Sequence, residues 1–183
     1  MGKGSLVVLS GPSGTGKNTV YDGLRAKSED FVQTVSATTR APREGEKDGV
    51  DYYFISTEEF LRKVDAGEFV EHVCYGGNYY GTLKSEIRRL IALEKTVILV
   101  IEVNGALNIK AAFPEAVSVF LLPPSMEELE RRIRVRGQNT PEETARRMEI
   151  AREEMTYQDK YDHRVVNDDL DECINNVYNI IVK

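Results

Sequence analysis

Apolar residues recur along this chain in two rhythms. Residues 6–10, Leu6-Val7-Val8-Leu9-Ser10, form a short branched run with no polar alternation, as expected for a strand buried on both faces of a parallel sheet. A helix is predicted to follow over 17–27. Residues 34–40 and 51–55 are β-like, with a charged, glycine-rich stretch between them, so a small insertion is expected here. Helical periodicity returns over 58–66 and stops at Gly67. Two further β-like stretches, 68–75 and 78–82, flank Gly76-Gly77, which reads as a hairpin turn. Ile87, Leu90 and Ile91 set a helical period over 85–94, and 96–102 is a second buried strand. A helix at 105–112, a strand at 117–122 closed by Pro123-Pro124, and charged helices at 125–136 and 141–158 come next. Val165-Val166 marks a last strand and 170–182 a closing helix. Strand and helix alternate, so the fold class is α/β around a parallel sheet.

Composition narrows the functional classes. The 183 residues carry 24 Lys+Arg against 30 Asp+Glu, a net charge of −6, with 41% hydrophobic residues. A single domain with an insertion is expected at this length, and it can bury a core without a metal or disulfide staple. A net acidic chain lacks the bulk field that attracts nucleic acid or anionic membranes, so any phosphate chemistry needs a local basic pocket. Cys74 and Cys173 make no metal-ligand spacing and no disulfide framework, which suits a reducing cytoplasm. The first residues lack the apolar length and cleavage site of a signal peptide, and no segment approaches transmembrane length.

The strongest local motif is Gly11-Pro12-Ser13-Gly14-Thr15-Gly16-Lys17, set between the first strand and the first helix. Glycines there let backbone N–H groups wrap an anion, the helix N-terminus adds positive potential, and Lys17 can reach phosphate oxygens. Asn18 stands where a P-loop usually places the Ser or Thr hydroxyl that binds Mg²⁺, with Thr19 directly after it. Arg40 and Arg43 lie three apart beside a proline, a spacing that can aim two guanidinium forks at one phosphate. Arg132 and Arg136 lie four apart on one helical face, and Arg147 returns from the next helix. Glu128 to Arg132 and Glu130 to Arg134 are i,i+4 pairs, so Arg131 and Arg134 read as surface charges, and His72 and His163 as surface or packing residues.

Over essentially its whole length the chain resembles guanylate kinases. The resemblance rests on the phosphate loop, on Ser36-Ala37-Thr38-Thr39-Arg40-Ala41-Pro42-Arg43-Glu44-Gly45-Glu46, and on Asp48-Gly49-Val50-Asp51-Tyr52-Tyr53-Phe54. Further on it rests on Gly77-Asn78-Tyr79-Tyr80-Gly81-Thr82, Ile101-Glu102-Val103-Asn104-Gly105, Arg136-Gly137 with Thr140, and Val166-Asn167-Asp168. It implies a three-layer P-loop NTPase core with a parallel sheet (about 1–34, 95–135 and 148–183), a mixed α+β GMP-binding insertion (about 35–94) and a short lid (about 136–147).

It also implies ATP and GMP, with dGMP a further candidate, as partners, and Mg²⁺ as the cofactor of ATP. Gly11 to Thr19 would hold ATP, Asn167 would contact adenine, and Thr19 is the candidate metal ligand. By the same resemblance Arg40, Arg43, Tyr52 and Tyr80 hold the GMP phosphate while Glu46 orients that cluster. Glu71 faces the guanine N–H donors and Ser36 and Thr82 supply hydroxyls. Lys17, Arg132, Arg136 and Arg147 surround the transferring phosphoryl group, and no catalytic base is needed because a phosphate monoester, with a second pKa of about 6, is largely ionised at neutral pH.

Two positions depart from the pattern besides Asn18. Val100 stands where many members carry an acid, and Asn104 where Gln is common. Strand alternation would put Val100 and Glu102 on the same side, leaving Glu102 either to orient metal-bound water or an arginine in the GMP site, or to cap the next helix. The competing reading is a guanylate-kinase-like nucleotide- or protein-binding module with reduced or lost catalysis; the intact glycines and Lys17 favour the enzyme. A monomer or small homo-oligomer is expected, with no nucleic-acid or membrane partner.

Overall fold

The computed structural model describes residues 4–136 and 140–183, without the side chain of Arg136. Five parallel strands form the larger sheet in the order β2 (Phe31–Val32), β7 (Thr96–Val100), β1 (Ser5–Ser10), β8 (Val117–Leu122), β9 (His163–Val166). The central strand β1 shows how the three layers arise. Leu6 and Val8 point to one face, where they pack with Ile87 and Leu90 of α3 (Lys84–Ala92) and with Val103, Ala106 and Ile109 of α4 (Val103–Ala112). Val7 and Leu9 point to the other, against Val20, Tyr21 and Leu24 of α1 (Lys17–Lys27) and Cys173, Ile174 and Val177 of α7 (Leu170–Ile181). Because both faces are covered, the run needs no polar alternation. Burial of these side chains contributes roughly 1.5–3 kcal/mol each.

A second, mixed sheet of four strands is inserted between β2 and α3. Its order is β4 (Tyr53–Phe54), β3 (Ala37–Thr38), β6 (Asn78–Leu83), β5 (Phe69–Tyr75), with β3 and β4 parallel and the others antiparallel. Its own core is small: Ala37, Phe60 and Phe69 are buried, Phe60 stacking on Phe69 at 4.4 Å. Helix α2 (Thr57–Asp65) supplies Phe60 and starts where the Ser56 hydroxyl accepts from the Glu59 amide.

Helix α3, counted with the insertion on its sequence, packs Ile87 and Leu90 on the larger sheet instead. The β-like stretch at 34–40 narrows to two strand residues, and the edge strand β2 was not legible in the hydrophobic pattern at all. Beyond β8, α5 (Met126–Arg136) and α6 (Pro141–Met155) pack through Leu129, Ile133, Met148 and Ala151. A capping box between Thr140 and Glu143 starts α6. The lid expected at 136–147 therefore includes the first two turns of a helix; its residues 137–139 lie outside the described residues.

Candidate active site

The loop 11–17 leaves the carboxyl end of β1 between β7 and β8, the crevice where open α/β sheets bind ligands. Gly11 has φ +137°, and a Cβ there would sit 2.4 Å from the Leu121 carbonyl oxygen, so the loop can hug β8 only with glycine at this position. The buried Thr15 hydroxyl donates to the Pro12 carbonyl at 2.8 Å, closing the turn. Lys17 Nζ folds back to donate to the carbonyls of Gly11 (2.6 Å) and Pro12 (3.0 Å), which holds the ammonium over the loop. From outside, Asn167 Nδ2 donates to the Thr15 carbonyl at 2.7 Å, and its backbone N–H donates to Leu122. Asn167 is thus first a brace for the loop, and a Cβ at Gly16 would strike its Nδ2 at 2.6 Å.

A cleft of about 1010 Å³ runs from this loop to the insertion, at the top of the range for small-molecule sites. Ser13, Gly14, Gly16, Lys17 and Asn18 line one end. Ser36, Glu71 and Thr82 line the other, with Val100 and Glu102 between. The two ends share one continuous space. A β-bulge puts Glu71 in place: Phe69 pairs with Leu83 but Glu71 pairs with Thr82, so Val70 is the extra residue and turns into the main core. Glu71 then lies opposite Thr82, whose hydroxyl donates to Oε1 at 2.7 Å. Among the described residues, then, Thr82 orients the carboxylate and leaves its other oxygen to the cleft.

The predicted phosphate cluster forms beside the cleft rather than on its walls. Arg40 donates two hydrogen bonds to Glu46 (Nη1 to Oε2 2.9 Å, Nη2 to Oε1 2.8 Å) and lies over the Tyr52 ring at 5.4 Å. Tyr52 meets Tyr80 edge-on at 6.1 Å. Glu46 also accepts the Arg43 N–H at 2.7 Å, and the Arg40 guanidinium holds its carboxyl below the ordinary value of 4.5. One carboxylate therefore aims Arg40 and closes the turn carrying Arg43, whose side chain is exposed.

On the far side of the loop, Arg132 donates to the Asn167 carbonyl at 3.0 Å and to Glu128 at 2.8 Å. Arg131 and Arg132 together hold the Glu128 carboxyl down at about 2. Arg131 and Arg134 are exposed and paired to Glu128 and Glu130, as expected of surface residues. Arg147 is exposed on α6, two turns before Glu154 on the same face.

Several expectations need correction. Strand β7 ends at Val100, so the alternation does not continue to Glu102; Glu102 occupies the N-cap of α4 but its side chain makes no cap hydrogen bond, which leaves the carboxylate to the cleft. Thr19 opens onto a smaller cavity shared with Arg132 and Asn167, while Asn18 lines the cleft with Glu102. Successive helix positions differ by about 100°, so Thr19 cannot face the same space as residue 18. His72, read as a surface or packing residue, is exposed and leans on Phe60 and Phe69, and it also lines the cleft next to Glu71.

Glu154 was missed altogether. It lines the cleft beside Ser13 and Lys17, and burial raises its pKa, with Lys17 opposing and Glu102 adding to the rise. The signal for it was its seven-residue spacing from Arg147. The residues present fit a magnesium ion that arrives with nucleotide phosphates. No three acidic, His or Cys side chains cluster into a cage among the described residues, but Glu102, Glu154 and the Asn18 amide put oxygen donors beside Lys17.

Comparison with known proteins places this geometry. The family model described as guanylate kinase matches residues 3–183. The guanylate kinase of Trichormus variabilis is 48% identical over 171 residues, covering 93% of this chain and 86% of that protein. That of Clostridium perfringens is 44% identical over 180 residues, covering 98% and 83%. Among solved structures, the guanylate kinase from Anaplasma phagocytophilum aligns with TM-score 0.67 at 38% identity, over 98% of this chain and 85% of that one.

Proposed function

The chain belongs to the guanylate kinase family, and on that premise we propose that it transfers the γ-phosphoryl group of ATP to GMP, giving ADP and GDP. The observation that carries this reading is the single cleft that joins Lys17 and the glycine loop to Ser36, Glu71 and Thr82. A phosphate site and a guanine-type site on one space can hold donor and acceptor in line.

In this mechanism the residues of 11–17 cradle the ATP phosphates with backbone N–H groups, and Lys17 neutralises charge as it builds on the transferring oxygens. An oxygen of the GMP phosphate attacks the γ-phosphorus, and the bond to the β–γ bridging oxygen breaks toward ADP. No proton has to be removed, since the acceptor is already ionised. Arg40, aimed by Glu46, and Arg43, Tyr52 and Tyr80 hold the GMP phosphate. Glu71, held by Thr82, accepts from the guanine N–H donors, and Ser36 gives a hydroxyl to O6. Arg132 and Arg147, together with Arg136, whose side chain lies outside the described residues, would neutralise charge on the triphosphate. Asn167 braces the loop next to the adenine end of ATP. Glu102, Glu154 and Asn18 would hold the Mg²⁺ that accompanies ATP, which would supply neutralisation of phosphate charge there.

No described helix is long and apolar enough to cross a membrane. Cys74 and Cys173 are unbonded, which supports a cytoplasmic setting. The function is tested by following ADP release from ATP with Mg²⁺ and each of GMP, dGMP, AMP, CMP and UMP. Turnover that requires GMP or dGMP is expected; tight GMP binding with no turnover would instead mark a binding module.

A further inference from the structure

Among the described residues, the phosphate loop and its cleft leave one buried charge unexplained. Glu86, in the first turn of α3, is 4% exposed and lies on the stripe that carries Ile87 and Leu90 into the core. Burying a carboxylate there is costly unless it is fully hydrogen-bonded, and an apolar side chain of similar size would fill the position without that cost. The bonds show what the charge does. Oε2 accepts from the Tyr53 hydroxyl (3.0 Å) and from Arg89 Nε (2.8 Å), and Oε1 accepts from Arg89 Nη2 (3.0 Å).

These partners gather at the root of the insertion. Tyr53 follows Tyr52 directly, and its backbone N–H donates to the Ser36 carbonyl at 2.9 Å. The Val35 amide, one residue before Ser36, also favours the ionised carboxylate. Glu86 itself sits four residues after Thr82, at the start of the helix into which β6 runs. One carboxylate thus links, directly or through one residue, three segments that carry Ser36, Tyr52 and Thr82.

We propose that Glu86 is a positioning residue for the GMP half of the site, holding Tyr53 so that the backbone at Tyr52 and Ser36 keeps a fixed place relative to β6. This role rests on reading the insertion end of the cleft as the GMP site. Arg89, whose side chain is half exposed, completes the acceptor's bonding and keeps it charged.

Steady-state kinetics of Glu86→Gln, Tyr53→Phe and the double variant test it, varying GMP at saturating ATP and then the reverse. The KM for GMP is expected to rise about tenfold in Glu86→Gln and about threefold in Tyr53→Phe, while the KM for ATP stays within about twofold. The double variant should be no worse than Glu86→Gln alone, because both act through one bond. Tyr53→Phe removes only a hydroxyl, so it keeps the test alive if Glu86→Gln fails to fold. An unchanged KM for GMP, whatever happens to thermal stability, or an equal rise in both KM values, overturns the role. If the unaltered protein fails to turn over GMP, the reading of the cleft falls and the role falls with it; an active protein with unmoved variants overturns the role alone.

Discussion

The two ends of the cleft are built in opposite ways. At the phosphate end, seven consecutive residues do the work, held by backbone carbonyls, by the buried Thr15, and by a sheet whose strands bury both faces. At the insertion end, Glu71 and Thr82 come from β5 and β6 and Ser36 from the residue before the two-residue strand β3, over a core of three buried apolar residues. Polar side-chain links, Glu46 to Arg40, Thr82 to Glu71 and Glu86 to Tyr53, replace the missing apolar mass. At the phosphate end, where Gly11 packs against β8, several side chains brace the same loop and both sheet faces are buried, one side chain can be removed and the shape stays. Where it is fixed by side chains, removing one releases its neighbours. Substitutions at the phosphate end should therefore act on turnover, and those at the insertion end on which substrate is chosen.

The largest effect is expected at Lys17. Lys17→Ala should lower kcat at least about a hundredfold, roughly 2.7 kcal/mol of barrier, with the KM for GMP little changed. Retained turnover in the ADP-release assay would mean that this loop is not the donor site, and the contrast between the two ends would collapse. At the other end, Glu71→Ala should cut the preference for GMP over AMP by about thirtyfold while leaving the KM for ATP within about twofold, since in the proposed reading the lost carboxylate meets only the base. Competition kinetics with both monophosphates measure it; an unchanged preference would remove Glu71 from the guanine site.

The same contrast governs what could be read from sequence. The β1–loop–α1 unit was legible because its information is local: a buried run, three glycines and a lysine in order. The long helices and the 68–75 and 78–82 hairpin were legible for the same reason. Strand β2 was not, because two residues pairing at a sheet edge leave no period. Asn167 could be flagged, but not its bond to Thr15, which joins positions 152 residues apart. Thr19 was preferred to Asn18 on hydroxyl chemistry alone, and the helix turn between them, which puts Asn18 on the cleft and Thr19 on the smaller cavity, is not legible in that chemistry. The bulge at Val70 could not be foreseen, since alternation predicts only a regular strand. Glu86 carried a signal that charge counts hide: it falls four residues before Leu90, on a face that should be apolar.

The smallest predicted effect separates the two ends most directly, because buried Glu86 and half-buried Glu154 have their pKa values moved in opposite directions. Hydrogen bonds from Arg89, with help from Tyr53, hold Glu86 below its ordinary value of 4.5. Its ionised form therefore adds stability that is complete above about pH 4.5 and is lost as pH falls through the lower native value. Burial pushes Glu154 above 4.5, with the charge of Glu102 adding to the effect and Lys17 opposing it. Between 4.5 and that higher value the native protein binds more protons than the unfolded chain, so stability falls as pH rises through this window, and at neutral pH the ionised group destabilises the fold. Thermal denaturation of Glu86→Gln and Glu154→Gln beside the unaltered protein, at pH 7.5, 5.5 and 4.5, should show gaps of about a few degrees that widen with pH in opposite senses. Glu86→Gln should lose stability relative to the parent as pH rises and Glu154→Gln should gain it. Gaps of the same sign would mean that the two ends hold their carboxylates by the same means, and the contrast drawn between backbone and side-chain construction would not extend to their electrostatics.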